Sequence, residues 1–187
     1  MPNKFHKINI CGFETELPVM RISEDTEICF FNLHGDSALT EHCAGHLAAL
    51  MEGCEVLLTA ESKGLQLTHC VARNLGQRFY GVARKSRKLY MQDGIETDID
   101  ASITTGKEQK LYLSAHDAAL LKGRKVGIID DVLSTGASLK GLESLVLKAG
   151  GIILKKGFVL AEGEASRRND IVCLAPLPLY INGVPVL

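Results

Sequence analysis

No stretch of this sequence stays apolar and uncharged for the ~20 residues that a helix needs to cross a bilayer, and no charged-then-apolar leader opens it. A membrane-spanning or secreted protein is therefore not expected. Charge of one sign is scarce as well: 21 Lys and Arg against 22 Asp and Glu leave a formal net charge of −1. Such a balance offers no overall attraction to nucleic acid or to an anionic membrane, so any basic site has to be local. The six cysteines, at 11, 29, 43, 54, 70 and 173, form no C-x-x-C pair. Several sit among apolar neighbours, where a thiol behaves as a small hydrophobe, and a reduced, cytoplasmic life is the expectation. Neither G-x-G-x-x-G nor G-x-x-x-x-G-K-[ST] occurs, which ranks other nucleotide-binding α/β types last. No internal repeat, linker or low-complexity segment breaks the chain. Its 187 residues, 46% hydrophobic and 23% charged, suit one domain of ordinary size with a sizeable core.

What is present is concentrated between Val126 and Ser138, Val-Gly-Ile-Ile-Asp-Asp-Val-Leu-Ser-Thr-Gly-Ala-Ser. Val126 to Ile129 is a short apolar run suited to a buried central strand, and two adjacent carboxylates, Asp130 and Asp131, follow at its C-terminal end. Open α/β sheets bind ligands at that edge. Ser134, Thr135, Gly136, Ala137 and Ser138 then open a segment whose Leu139, Leu142, Leu145, Val146 and Ala149 recur at helical spacing. Free amides at such a helix start, with the Thr135 and Ser138 hydroxyls and the close approach that Gly136 permits, suit a phosphate. The carboxylates would repel phosphate but accept hydrogen bonds from a neighbouring diol. A capped strand-to-helix turn with a solvated acidic pair is the plainer alternative.

The run Ile128 to Ser138 resembles the 5-phosphoribosyl diphosphate (PRPP) motif of the type I phosphoribosyltransferases, on the branch that includes the adenine and xanthine enzymes. The resemblance implies an α/β fold: a parallel sheet flanked by helices, with a small N-terminal hood and a flexible β-ribbon lid. It implies that Asp130 and Asp131 contact the ribose hydroxyls, and that Leu133, Ser134, Thr135, Gly136, Ala137 and Ser138 hold the 5′-phosphate. Glu61-Ser62-Lys63-Gly64 looks like the family's pyrophosphate loop, with Lys63 where Arg is frequent. A lysine keeps the charge and loses the bidentate fork. Arg84, Lys85 and Lys88 match a basic pattern that in the family reaches a neighbouring subunit's pyrophosphate, which implies a homodimer.

Around that centre the chain reads as one domain over 1–187, with a hood over about 1–35 and a lid over about 89–112. Residues 4–32 alternate short apolar pieces with turn-prone ones, as small strands or a hairpin do. Phe31 and Asn32 are candidates to stack on a purine and read its edge, or else a core Phe with a turn-capping Asn. The pattern predicts a helix over Leu39–Met51 capped by Asp36 or Ser37, a strand over Cys54–Thr59 and a helix over Leu65–Leu75. It further predicts a strand over Phe79–Ala83, a ribbon over 91–110, a helix over Ala115–Leu121, and strands over Ile152–Leu160 and Ile171–Leu174. His42 and His46, one helical turn apart, have a metal spacing but no acidic partner pattern, so a polar helix face is favoured. Glu162 and Glu164, on the ligand edge after a strand, could touch Mg²⁺ or the base, though a solvated turn is favoured, and the tail from Ala175 to Leu187 reads as an extended cap.

The expected activity is transfer of 5-phosphoribosyl from PRPP to a purine base, adenine favoured, giving a nucleoside monophosphate and pyrophosphate in purine salvage. Mg²⁺ is expected to arrive with PRPP rather than on protein ligands, and neither nucleic acid nor membrane is an expected partner. Where adenine enzymes usually have a lid Glu that protonates the base, this chain has Thr104, with Glu108 displaced. Xanthine or another 6-oxopurine therefore stays open as the base, and so does a PRPP-sensing regulator without catalysis.

Overall fold

The computed structural model describes residues 4–99 and 109–187. The expected lid residues Thr104 and Glu108, with Thr105, Gly106 and Lys107, lie outside them. Among the described residues the chain runs through three strands, β1 (Phe5–Ile10), β2 (Phe13–Arg21) and β3 (Thr26–Cys29), then α1 (Ser37–Leu50), β4 (Val56–Ala60), α2 (Gly64–Asn74) and the short β5 (Gly81–Ala83). A ribbon follows, β6 (Ile95–Ile99) and β7 (Gln109–Leu113), and then α3 (Ala115–Leu121), β8 (Lys125–Leu133), α4 (Ala137–Lys148) and β9 (Ile152–Glu162). A 3₁₀ turn at Gly163–Arg167 leads to β10 (Val172–Leu177) and a terminal pair, β11 (Leu179–Ile181) and β12 (Val184–Val186). None of the described helices is long and apolar enough to cross a membrane.

The centre is a parallel sheet in the order β10-β9-β8-β4-β5, with β8 in the middle. Both faces of β8 are covered, which is why Val126, Ile128 and Ile129 are all fully buried and read as an uninterrupted apolar run. Period-two alternation sends Leu57, Ile129 and Val159 into the core under α1 and α2, and Val56, Ile128 and Phe158 into the core under α3 and α4. Helix α1 sits tightly on the sheet because β8 has a glycine beneath its last turn. A Cβ on Gly127 would come 2.6 Å from Met51 Cε and 2.8 Å from Cys54 Sγ.

A second, antiparallel sheet in the order β1-β2-β3-β11-β12 forms the hood. The tail expected as an extended cap is instead a hairpin that adds two strands to this N-terminal sheet, with Leu179 opposite Ile28. Its two-residue turn is Asn182-Gly183, at φ 50° and 80°, a positive-φ pair that matches the twist of the flanking strands. Lys4 ties the two ends together by bonding Glu27 at 2.9 Å and lying 3.7 Å over the Tyr180 ring. The ribbon pairs Ile95 with Leu113 and Ile99 with Gln109. Its base is anchored, since Leu111 and Leu113 are fully buried in the core. A Cβ on Gly141 of α4 would lie 3.1 Å from both Ile99 and Leu111.

The close seating of α1 on β8 gives a first prediction. Gly127→Ala should cost about 1–3 kcal/mol by overpacking, read as a lowered denaturation midpoint with an unchanged slope; an unaltered midpoint would show that the α1 end is not held this tightly.

Candidate active site

The expected strand over Val126–Ile129 continues to Leu133, so Asp130 and Asp131 lie within β8 rather than after it. Adjacent strand residues point to opposite faces, and the two acids accordingly open on different spaces. Asp130 lines a cavity of about 100 Å³ together with Ser134, Thr135, Gly136, Ala137 and Ser138. Asp131 lines a cavity of about 500 Å³ between the hood and the sheet. Ser134 and Thr135 belong to both, so the two spaces meet at the loop.

Asp130 Oδ1 accepts the Asp131 amide at 2.9 Å. Burial first, and the charge of Asp131 second, push the Asp130 carboxyl well above the ordinary aspartate range. Asp131 is 5% exposed, and its buried Oδ2 has no hydrogen-bond partner among the described residues, only the ion pair with Lys63 Nζ at 3.5 Å. A buried acceptor left this way is costly. It calls for a donor or a cation from outside the chain, and the hydroxyls of a sugar, or an Mg²⁺ arriving with its substrate, fit that need.

The helix starts point the same way. Asp36 caps α1 by accepting the Leu39 amide at 2.9 Å, and Ser114 caps α3 through the Asp117 amide at 3.1 Å. Neither α2 nor α4 has a side-chain cap or an acidic residue in its first turn. Those two follow β4 and β8 at the ligand edge of the sheet; the Ala137 amide of α4 reaches the Thr135 hydroxyl at a long 3.4 Å and the Leu65 amide of α2 the Ser62 carbonyl at 3.3 Å, contacts that an anion can replace. Gly136 at the start of α4 has φ +81°, and a Cβ there would approach Arg168 Nη1 at 3.3 Å. At the start of α2, Gly64 packs still closer: a Cβ would sit 2.2 Å from Thr59 Oγ1 and 2.9 Å from Asp130 Oδ1.

With this geometry in place, comparison with known proteins becomes informative. No family model matches the chain. Among solved structures, the adenine phosphoribosyltransferase of Thermoanaerobacter pseudethanolicus superposes with a TM-score of 0.65 at 22% identity, covering 77% of this chain and 84% of that one. The enzyme of the same name from Rhodothermus marinus gives 0.65 at 17% identity over 92% and 94%. Both speak to the fold. In sequence, the xanthine phosphoribosyltransferase of Bifidobacterium adolescentis is 31% identical over 137 residues, 69% of this chain and 70% of that protein. The chain belongs to the type I phosphoribosyltransferase family.

The match to the adenine phosphoribosyltransferase of Clostridium beijerinckii, 31% identical, spans 63% of this chain and 64% of that protein. With two Thermotoga relatives of the same name the span is 58% and 57% of their length. These fall short of two thirds of each relative.

The chain brings most of the expected residues around the two cavities. Lys63, expected at a pyrophosphate loop, turns toward the hood: its Nζ donates to the Phe31 carbonyl at 3.3 Å and lies 5.4 Å from the Phe30 ring centroid. Ser62 is exposed beside it, after a cis Glu61–Ser62 peptide. Arg84 pairs with Glu61 at 3.4 Å, and the Lys85 amide donates to the same carboxylate at 2.7 Å. The loop and the basic cluster are thereby one unit, with Lys85 and Lys88 exposed. Phe31 lines the larger cavity as a buried residue. Asn32 is not among that cavity's lining residues, and its side-chain oxygen accepts the His34 amide at 3.2 Å. His42 Nε2 is bonded to the Ile10 carbonyl at 2.8 Å, and its ring lies 4.7 Å from that of His46.

Two side chains, Phe30 and Arg168, escaped the sequence reading, and a third, Glu162, was weighed there but ranked as a solvated turn. Phe30, half-exposed, presents the open aromatic face that was sought at Phe31. Glu162, read as a solvated turn, ends β9 inside the larger cavity and accepts the Ser134 hydroxyl at 2.5 Å. Arg168 is clamped to Asp170 through Nε at 2.9 Å and Nη2 at 2.8 Å, which leaves Nη1 facing Gly136. A carboxylate at the C-terminal end of a strand pairing with β8 was the one available signal, for Glu162.

The raised Asp130 carboxyl fixes the sign of a stability effect. Its native value lies above the unfolded one, so the native state binds the extra proton and loses stability as pH rises through that range. Asp130→Asn should therefore melt higher than the unaltered protein at pH 8, with the gap closing as pH falls toward the ordinary value of 3.8. A variant that melts lower at pH 8 would contradict this placement of the acid.

Proposed function

We propose that this phosphoribosyltransferase moves 5-phosphoribosyl from PRPP to a purine nitrogen, adenine favoured, releasing pyrophosphate and a nucleoside monophosphate in purine salvage. The observation that carries the reading is the buried Asp131 Oδ2, which among the described residues has the 3.5 Å ion pair with Lys63 and no hydrogen-bond donor, beside the start of α4, where Gly136 brings no capping side chain. A sugar phosphate supplies both missing partners at once: hydroxyls for the acid pair, and an anion for the amides of Thr135 to Ser138.

In this reading no covalent nucleophile is required. Asp130 and Asp131 hold the ribose while its anomeric carbon gains positive charge, and their carboxylates stabilise that charge. Leu133, Ser134, Thr135, Gly136, Ala137 and Ser138 fix the 5′-phosphate, so that the reacting carbon is positioned by both ends of the sugar. Ser62, Lys63 and Gly64 receive the pyrophosphate, and Arg84, Lys85 and Lys88 of a second copy add charge there in a homodimer. Mg²⁺, when bound with PRPP, neutralises the charge of the leaving diphosphate. The base lies in the larger cavity, where the open Phe30 ring meets its flat face, with Phe31 packed behind, and the hood sheet excludes water. Asn32 retains its amide donors for the rim. Xanthine is the second reading for the base, supported by the Bifidobacterium relative of that name.

Replacing both Asp130 and Asp131 with Asn should lower turnover of PRPP and base by on the order of 100-fold or more in a protein that still folds, followed as pyrophosphate release. Near-normal kinetics would overturn these roles. Binding of PRPP without pyrophosphate release for any purine would favour a sensing role over catalysis.

A further inference from the structure

The larger cavity is walled mainly by apolar groups from the hood, among them Ile22, Ile28, Phe30, Leu177 and Leu179. Its polar groups are mostly committed. Thr26 donates to Asp25 at 2.9 Å, and Lys63 is engaged with the Phe31 carbonyl and with Asp131. Glu162, half-buried at the end of β9, is without an ion pair among the described residues and spends one carboxylate oxygen on the Ser134 hydroxyl, donated from the loop that the smaller cavity shares, which leaves the other oxygen for a ligand. Burial raises the Glu162 carboxyl above the ordinary glutamate range, against the opposing pull of the Ser134 hydrogen bond and the charge of Lys63. On the hood side stands Cys29, whose thiol is pushed up to about 11 by burial and by the charge of Glu162, so it supplies no competing anion.

An ionised carboxylate accepts hydrogen bonds and donates none. A ring that enters this cavity therefore meets a polar wall suited to N–H groups. An exocyclic amine satisfies it, whereas a carbonyl oxygen in the same position sets lone pairs against lone pairs. Xanthine adds a further cost, because it loses a ring proton near neutral pH and would bring an anion against both Glu162 and Asp131. We propose that Glu162 is the specificity-determining residue of the base cavity, and that it selects a purine carrying an exocyclic amino group over a dioxopurine. The inference rests on the transferase reading above and on the larger cavity as the base site. It makes the hydrogen bond between Ser134 and Glu162 a direct link between the phosphate loop and the group that reads the base.

Glu162→Gln is the informative change. The amide oxygen still accepts from Ser134, while the charge disappears and an NH₂ donor suited to a carbonyl is added. Initial rates with adenine and with xanthine, at saturating PRPP and Mg²⁺, should favour adenine in the unaltered chain. In Glu162→Gln the adenine-to-xanthine ratio of kcat/KM should fall by about tenfold or more, mostly through KM for the base. Ser134→Ala removes the loop contact but keeps the charge, and it should leave that ratio in favour of adenine. A Glu162→Gln ratio equal to the unaltered one, or a xanthine preference in the unaltered chain, overturns the proposal. Failure of the unaltered chain to turn over any purine would overturn the transferase reading itself, which calorimetry with PRPP and Mg²⁺ separates from a loss of base choice.

Discussion

Two carboxylates stand side by side near the end of a buried strand, and the rest of the molecule is arranged so that this costly placement can persist. Burial and mutual repulsion raise the Asp130 carboxyl, and Asp131 Oδ2 has no hydrogen-bond donor among the described residues. The sheet accommodates them by leaving out a side chain beside them: Gly64 has no room for a Cβ between Thr59 and Asp130, so α2 closes on β8 without displacing that acid. Farther along β8, Gly127 does the same for α1 beneath Met51. Such an arrangement lowers the stability of the empty protein and returns that free energy when a ligand supplies the missing partners.

The same strand divides the site. Because neighbouring residues on β8 face opposite ways, Asp130 belongs to the small cavity by the α4 start and Asp131 to the large one under the hood. A sugar held by both acids would lie across the strand end, with its phosphate on one side and the base on the other. Lys63 and Glu162 approach from the two strands flanking β8, one through the α2 start after β4 and the other at the end of β9. Both meet at the Asp131 side. Chain ends contribute as well, since the tail hairpin completes the hood wall with Leu179.

Much of this was legible in the sequence because local chemistry dictated it. The apolar run before Asp130, the small residues through Ser138, and the helical spacing after them leave little freedom, and the helix over Ala115–Leu121 occurs at those bounds. What escaped depends on contacts between distant segments. Nothing local to Ala175–Leu187 indicates that its strands pair with β3, even though Asn182-Gly183 is a turn signal. Glu162 resembles any acid after a strand until Ser134 is seen donating to it. Lys63 is in the expected loop, but its long side chain follows the nearest unpaired carboxylate, Asp131, and the Phe31 carbonyl. Asn32 and Phe31 were sought as a pair, whereas the segment after β3 turns Phe31 inward and leaves Phe30 partly open.

The central claim is that one sugar phosphate bridges the acid pair and the α4 amides. A crystal structure with PRPP and Mg²⁺ bound tests it most directly. The account predicts ribose hydroxyls within hydrogen-bond distance of Asp130 and Asp131, and the 5′-phosphate on the amides of Thr135 to Ser138. PRPP bound elsewhere, or a strand end still closed by the protein's own side chains at saturating ligand, would contradict it.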